Sequence, residues 1–368
     1  MVKIRLGIVG VGNCASSLLQ GIEYYRNGEG PKKHHDGSGL MHLDLGGYSP
    51  GDIEVVCAFD IDVRKVGKPL ETALTAPPNN TMTLYPKLPN YKIRVEMGPV
   101  LDGFSEHMLQ YPEEQRFVPD TKAPVDVAQV LRATRPDVVV SYLPVGSQKA
   151  AEHYARACLD ESVSFINCMP TFIVSNPEWG AEFARKKIPV IGDDIKSQLG
   201  ATIVHRGLAR LFEDRGIKIE RTYQLNTGGN TDFLNMLNRE RLSFKKQSKT
   251  SAVQSMLAEP LAADNVHIGP SDYVPWQKDN KICFLRIEGR GFGGARIELE
   301  LRLSVEDSPN SAGVAIDAIR CCKVARDRGV GGPLIGPSAY FMKHPPRQIP
   351  DHEAGELVER FIRGEDPA

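Results

Sequence analysis

Gly7-Ile8-Val9-Gly10-Val11-Gly12-Asn13-Cys14-Ala15-Ser16-Ser17 closes the first apolar run of a 368-residue chain, and its reading decides the fold. Ile4, Leu6, Ile8 and Val9 form a short β-prone segment, the glycines interrupt it, and Ala15, Leu18, Leu19 and Ile22 then recur at helical spacing. Strand, glycine turn and helix are the context that gives G-x-G-x-x-A a physical meaning. Gly10 permits the tight turn, Gly12 lets backbone approach a pyrophosphate, and the small Ala15 lets helix and strand pack closely. The helix N-terminus then offers free N–H groups and a positive dipole end to the phosphates. A dinucleotide site is the expectation.

Working outward, an apolar run at 53–59 ends at Asp60, where such a domain holds the adenosine ribose hydroxyls. The alternative is that Asp60 merely caps a turn. No arginine follows immediately, which favours NAD over NADP. The segment between, 27–51, is Gly- and His-rich and reads as a loop; His34 and His35 have no partner at metal-ligand spacing. Residues 74–124 are rich in Pro and Asn and give no clear pattern. Alternation then returns: a helix face at Val127, Val130, Leu131 and Thr134, strands at 137–143, 163–168 and 188–192, and helices through Ala150, Tyr154 and Ala157 and over 178–187. That rhythm indicates a doubly wound parallel sheet.

The pattern changes after Gly192. A long helix carrying Ile203, Leu208, Leu211 and Phe212 precedes a strand at 217–226. At 297–305 apolar and polar residues alternate strictly, the mark of a half-exposed antiparallel strand whose apolar face another sheet or a second subunit would cover. A helix over 310–328 stops at Gly329.

The composition is globular: 41% apolar, 25% charged, net charge −1. It carries no basic footprint for nucleic acid or an anionic membrane. No leader and no membrane-length apolar run is visible, and seven scattered cysteines without C-x-x-C indicate reduced thiols and a cytoplasmic protein.

Three groups could carry chemistry. Gly192-Asp193-Asp194-Ile195-Lys196-Ser197 lies at the C-terminal end of a predicted parallel strand, where ligands gather. Its carboxylates and lysine could bind a cation, tune a proton transfer or hold a sugar hydroxyl; equally, Asp194 could be a helix N-cap. The stretch 226–232, from Asn226 to Asp232, is a polar glycine turn followed by Lys245, Lys246 and Lys249. Lys245 and Lys249, four apart, share a face if helical and would suit a phosphomonoester or a developing oxyanion, or else form a solvated basic face. Lys281, Asp307 and Lys343 each stand beside turn-forming residues. His153 and His205 read as surface or packed residues.

Taken together, Gly10-Val-Gly-Asn-Cys-Ala-Ser-Ser17, Ser141-Tyr-Leu-Pro-Val-Gly-Ser147, Gly192-Asp-Asp-Ile-Lys-Ser197, Gly229-Asn-Thr-Asp232 and Glu306-Asp-Ser-Pro-Asn-Ser311 resemble the inositol-3-phosphate synthase (myo-inositol-1-phosphate synthase) family in its short bacterial form. The resemblance spans nearly the whole chain, with the G-D-D-x-K-S element its most specific part. Departures from the longer eukaryotic members are Gly12-Asn13-Cys14-Ala15 in the glycine loop and Gln198 where glycine is common.

The resemblance implies conversion of D-glucose 6-phosphate to 1D-myo-inositol 3-phosphate, with NAD regenerated each turnover, in a homotetramer. It implies an α/β fold: a Rossmann-type doubly wound sheet with an inserted α+β catalytic and oligomerisation domain. The division would be 1–194 for the first part of the NAD domain, 195–308 for the insert and 309–368 for the return. Lys249, Lys343, Lys245, Lys281, Asp194, Asp232, Asn226, Asp307 and Lys196 are the implied catalytic set. Lys249 and Lys343 would stand at the reacting oxygens. Gly10, Gly12, Asn13, Cys14, Ala15, Asp60, Ser141, Pro144, Asp194 and Ser308 are the implied cofactor contacts. A mono- or divalent cation is a further candidate, with no residue assigned to it. Two rivals remain: an NAD(P)-dependent dehydrogenase of homoserine or sugar-oxidoreductase type, and a regulatory protein that binds NAD without turnover.

Overall fold

The computed structural model describes residues 3–27 and 37–365, apart from the side chains of 243–246 and 270–271; His34 and His35 lie outside the described residues. β1 (Ile4–Val9) leads through the glycine turn into α1 (Asn13–Asn27), as the first stretch predicts. β2 (Ile53–Asp60), α2 (Leu70–Ala73), β3 (Glu96–Met97), α3 (Val127–Thr134), β4 (Val138–Ser141), α4 (Gln148–Asp160), β5 (Ser164–Asn167), α5 (Pro177–Arg185) and β6 (Pro189–Gly192) follow. Then come α6 (Ala201–Asp214), β7 (Lys218–Gly228), α7 (Thr231–Asn235), α8 (Ser243–Gln254), β8 (Val266–Tyr273), β9 (Asn280–Arg290) and β10 (Arg296–Glu306). The chain ends with α9 (Asp307–Asp327), β11 (Gly332–Pro333), α10 (Ile335–Phe341) and α11 (Asp351–Arg363).

Seven strands make one parallel sheet, β11-β6-β5-β4-β1-β2-β3. Strand order runs outward in both directions from the β1/β4 pair, so the crevice of this doubly wound sheet opens at the glycine turn. β11, reached only after the smaller sheet, pairs with β6. α9 packs beside α1 and against this sheet, buried nearly all round from Ser308 to Ala325, which is why its sequence shows no polar stripe.

Four strands make the second sheet, β10-β9-β7-β8, antiparallel except for β7/β8. The apolar side chains Ile297, Leu299, Leu301 and Leu303 of β10 join Cys283, Leu285 and Ile287 of β9 beneath Ala209 and Phe212 of α6. Part of the cover expected from another sheet or subunit is therefore supplied by this chain's own helix, although those β10 residues stay half-exposed.

Two sequence expectations are refined. α9 begins three residues before the expected 310, because Pro309 falls in its first turn, where the missing N–H has no helical acceptor to lose. The unreadable 74–124 holds little regular structure, and side chains fix it. Asn79 Nδ2 donates to Val11 O at 3.0 Å, and Asn80 exchanges bonds with Asn13 at 2.8 Å in each direction. Lys65 Nζ, buried, adds a bond to Val11 O at 2.7 Å. This segment braces the glycine turn from outside.

Candidate active site

Two adjoining clefts lie where the sheets meet. The larger is lined by Gly10, Gly12, Asn13 and Cys14 of the glycine turn, by Asp60 and Pro144 from neighbouring strand ends, by Asp232 of α7 and by Asp307 and Ser308 of α9. Gly10 has φ +88°, and a Cβ there would meet the backbone oxygen of Tyr142 at 2.7 Å. A Cβ on Gly12 would meet nothing within 4 Å, because it would project into open space. The first glycine serves the fold and the second leaves room for a ligand.

Asp60 accepts from Val11 N at 2.7 Å with one oxygen and from Ile61 N and Asp62 N at 2.7 and 2.8 Å with the other. Its carboxylate thus ties the end of β2 to the glycine turn. Burial, with Asp279 and Asp307 nearby, pushes the Cys14 thiol up to about 12. Ala15 is buried against the core, and Ser141 is buried within β4; neither lines the cleft, whose wall on that side comes from Tyr142, Leu143 and Pro144.

The smaller cleft is lined by Lys249, Lys281 and Lys343 with Ser197, Thr202 and Gln224. Lys281 Nζ lies 3.1 Å from Asp307 Oδ1. Asp307 lines the larger cleft and Lys281 the smaller, so this pair stands at their junction. Burial disfavours the Lys281 ammonium, but the adjacent Asp307 outweighs it and raises the pKa. Lys343 Nζ donates to Asp194 Oδ1 at 2.8 Å and Ser248 Oγ to Asp194 Oδ2 at 2.7 Å.

Asp194 is not an N-cap: α6 starts at Ala201 with Gly200 as its cap. Its neighbour Asp193 has a different task, accepting from Ile173 N, Val174 N, Ser175 N and Oγ, and Asn167 Nδ2 at 2.7–3.1 Å. It pins 173–175 to the end of β6, and burial pushes its carboxyl up to about 6 despite those donors.

The model of the Myo-inositol-1-phosphate synthase family matches residues 200–308. The Inositol-3-phosphate synthase of Mycobacterium tuberculosis is 51% identical over 362 residues, 98% of this chain and 96% of that one. That of Corynebacterium glutamicum is also 51% identical, over 98% of both chains. The chain belongs to the inositol-3-phosphate synthase family. A crystal structure of Ari2 has a TM-score of 0.79 at 34% identity, covering 99% of each chain. The inositol-3-phosphate synthase of Caenorhabditis elegans shares the fold, with a TM-score of 0.76 at 18% identity over 98% of this chain and 85% of that one.

Within this synthase-family fold most of the sequence-derived residues converge, but not all. Asn226 is buried behind the lysine cleft, donating to Gly269 O at 2.8 Å. Lys196 turns away from both clefts, with its Nζ 2.7 Å from Ala339 O and from Asp351 Oδ1. The side chain of Lys245 lies outside the described residues; its backbone is in α8.

Asp279 went unnoticed in the sequence. It accepts from Asn13 Nδ2 at 3.1 Å, Asn230 Nδ2 at 3.0 Å and Ser308 Oγ at 3.0 Å, joining the glycine turn to the first turn of α9. Burial, then Asp307, pushes its carboxyl up to about 6. No local pattern marks it; only its place two residues before Lys281 could have drawn attention. Among the described residues, no group of three or more His, Cys, Asp and Glu side chains could hold a metal ion.

Proposed function

We propose that this chain converts D-glucose 6-phosphate into 1D-myo-inositol 3-phosphate, with NAD in the larger cleft and the sugar phosphate in the smaller. The observation that carries this reading is the Lys281–Asp307 pair, which joins a glycine-lined cleft to a pocket bearing three lysines. The open space at Gly12 and the adjoining N-terminus of α1 fit a pyrophosphate. Asn13, Asp60, Pro144 and Ser308 line the same cleft. NAD, once bound, supplies the oxidation at C5 and the final reduction of the same carbon, so none is consumed.

The chain's own residues handle charge and protons. Once C5 is a ketone, a C6 proton becomes acidic; its departure leaves an enolate, C6 attacks C1, and the C1 carbonyl oxygen takes up a proton as the ring closes. Lys249 and Lys343 stand beside those oxygens, where ammonium groups stabilise charge that develops only in the transition states. Asp194, bonded to Lys343 and Ser248, keeps the Lys343 side chain aimed. Lys281 and Lys245 assist, while Asp232 and Asp307 border the junction with the cofactor.

The same reading divides the chain at 194/195 and 308/309, supported by the return of β11 to the first sheet, and makes it a homotetramer. The outer face of the second sheet presents Tyr223, Leu225 and Phe284 among ion pairs, Phe284 being 44% exposed. No described helix is long and apolar enough to cross a membrane.

The test is incubation with glucose 6-phosphate and NAD, with the product identified by NMR and absorbance followed at the NADH maximum. Inositol phosphate with no net NADH is expected. Stoichiometric NADH would instead identify a dehydrogenase, and no turnover a sensor.

A further inference from the structure

Outside both clefts, two buried cations, Lys196 and Arg206, converge on one half-buried carboxylate, Asp351. Lys196 and Arg206 are 1% and 0% exposed. Asp351, the first residue of α11, accepts from Lys196 Nζ at 2.7 Å and from Arg206 Nε at 2.6 Å, one bond to each oxygen. The guanidinium also reaches Ala252 O at 2.7 Å, Gln348 Oε1 at 3.1 Å and Ile349 O at 2.9 Å.

Two buried cations share one carboxylate here. Such a set contributes little to stability compared with apolar side chains of the same volume, so what it offers is defined geometry. The segments it fixes carry the reacting lysines. Ala252 is three residues beyond Lys249 in α8. Gln348, held by Arg206, donates its Nε2 to Lys343 O at 2.7 Å. On the other side, Lys196 N donates to Phe341 O at 2.8 Å and Lys343 N to Asp194 O at 2.7 Å. One guanidinium therefore touches the helix of Lys249 and, through Gln348, the segment of Lys343.

We propose that Lys196, Arg206 and Asp351 form a positioning cluster that sets Lys249 and Lys343 at their working places about Asp194. This rests on the reading that those two lysines stand at the reacting oxygens. Lys196 accordingly leaves the catalytic set and acts through Asp351. A displacement of about 1 Å at a reacting centre costs on the order of a hundredfold in rate, so loosening the clamp should be felt in chemistry before it is felt in binding.

The test is steady-state kinetics of Arg206→Lys, which keeps the charge and loses the fork, and Asp351→Asn, which keeps the shape and loses the charge. Both are assayed well below their own melting midpoints, beside Lys249→Ala and Lys343→Ala. Expected is a kcat lowered about tenfold to a hundredfold in the two cluster variants, with KM for glucose 6-phosphate and NAD affinity close to the parent's. Asp351→Glu, which restores the carboxylate, should recover more of kcat than Asp351→Asn. A lower melting midpoint with parental kcat would overturn the proposal. If Asp351→Asn does not fold, Arg206→Lys and Asp351→Glu are judged by the same kcat and KM criterion. Normal turnover in both lysine variants would overturn the catalytic reading and the cluster's role with it. Loss of turnover there, with parental kcat in the cluster variants, would overturn the cluster alone.

Discussion

Nζ of Lys343 lies 2.8 Å from Oδ1 of Asp194 although the two residues are 149 positions apart. The pairing follows from backbone: His344 N and Asp193 N exchange bonds with each other's carbonyl oxygens at 2.9 Å, and Ile195 bridges Met342. Asp194 itself sits at φ +64°, a left-handed conformation that costs a non-glycine residue on the order of 1–3 kcal/mol. The flanking bonds hold it there, with its carboxylate between Lys343 and Ser248.

That geometry predicts the outcome of Asp194→Asn. An amide keeps one acceptor but cannot balance the Lys343 charge, so kcat should fall about 10²–10³-fold with NAD binding intact. Lys249→Ala and Lys343→Ala should each abolish measurable inositol phosphate formation. Near-normal turnover of Asp194→Asn, measured by product NMR, would return that residue to a purely structural role.

Gly10 and Gly12 should respond differently to substitution. Gly10→Ala forces a Cβ to 2.7 Å from Tyr142 O at positive φ and should cost about 2 kcal/mol or more in stability, seen in thermal unfolding. Gly12→Val projects into open space and should leave the melting midpoint nearly unchanged. Its NAD affinity, read by calorimetry, should fall at least about tenfold, because the side chain occupies the pyrophosphate's place. Unaltered affinity would remove the cofactor from this cleft.

His205 is buried against Thr222 Oγ1 at 2.9 Å, and burial brings its pKa down to about 4. Between pH 6.5 and 4 the unfolded chain binds a proton that the folded chain refuses, so this residue makes folding less favourable as pH falls. Asp193 and Asp279, raised to about 6, act in the opposite sense over an overlapping range, so only a difference measurement isolates the histidine. The stability cost of His205→Gln should be smaller at pH 5 than at pH 7 by about 2 kcal/mol, from denaturant curves. An equal cost at both pH values would contradict a buried neutral imidazole.

Assembly through the second sheet can be checked at Phe284, which faces away from the Cys283–Leu285–Ile287 core and lies opposite Leu225 and Arg302. Light scattering of the parent should give the mass of four copies. Phe284→Asp should shift it toward smaller species without lowering the secondary-structure signal. A parent that is fully active as a monomer would exclude the tetramer.

Local sequence was sufficient wherever the physics is local. The glycine turn, the β-prone runs ending at Asp60 and Gly192, and the alternation at 297–305 each depend on neighbours within a few residues, and the strands and helices fall where those patterns put them. The G-D-D-x-K-S element was the most specific of the five motifs that together carried the family resemblance, in its residue types. What it could not carry was the direction of its side chains: Asp193 anchors backbone, Asp194 faces lysines, and Lys196 points at the start of α11. The last two directions depend on the 341–351 segment arriving beside them, a contact more than 140 residues distant, whereas Asp193 finds its partners at 167–175. Asp279 and Arg206 were silent for the same reason, since each is defined by partners from several separate segments. Periodicity reports which face of an element is apolar; only the packed chain decides which charge meets which.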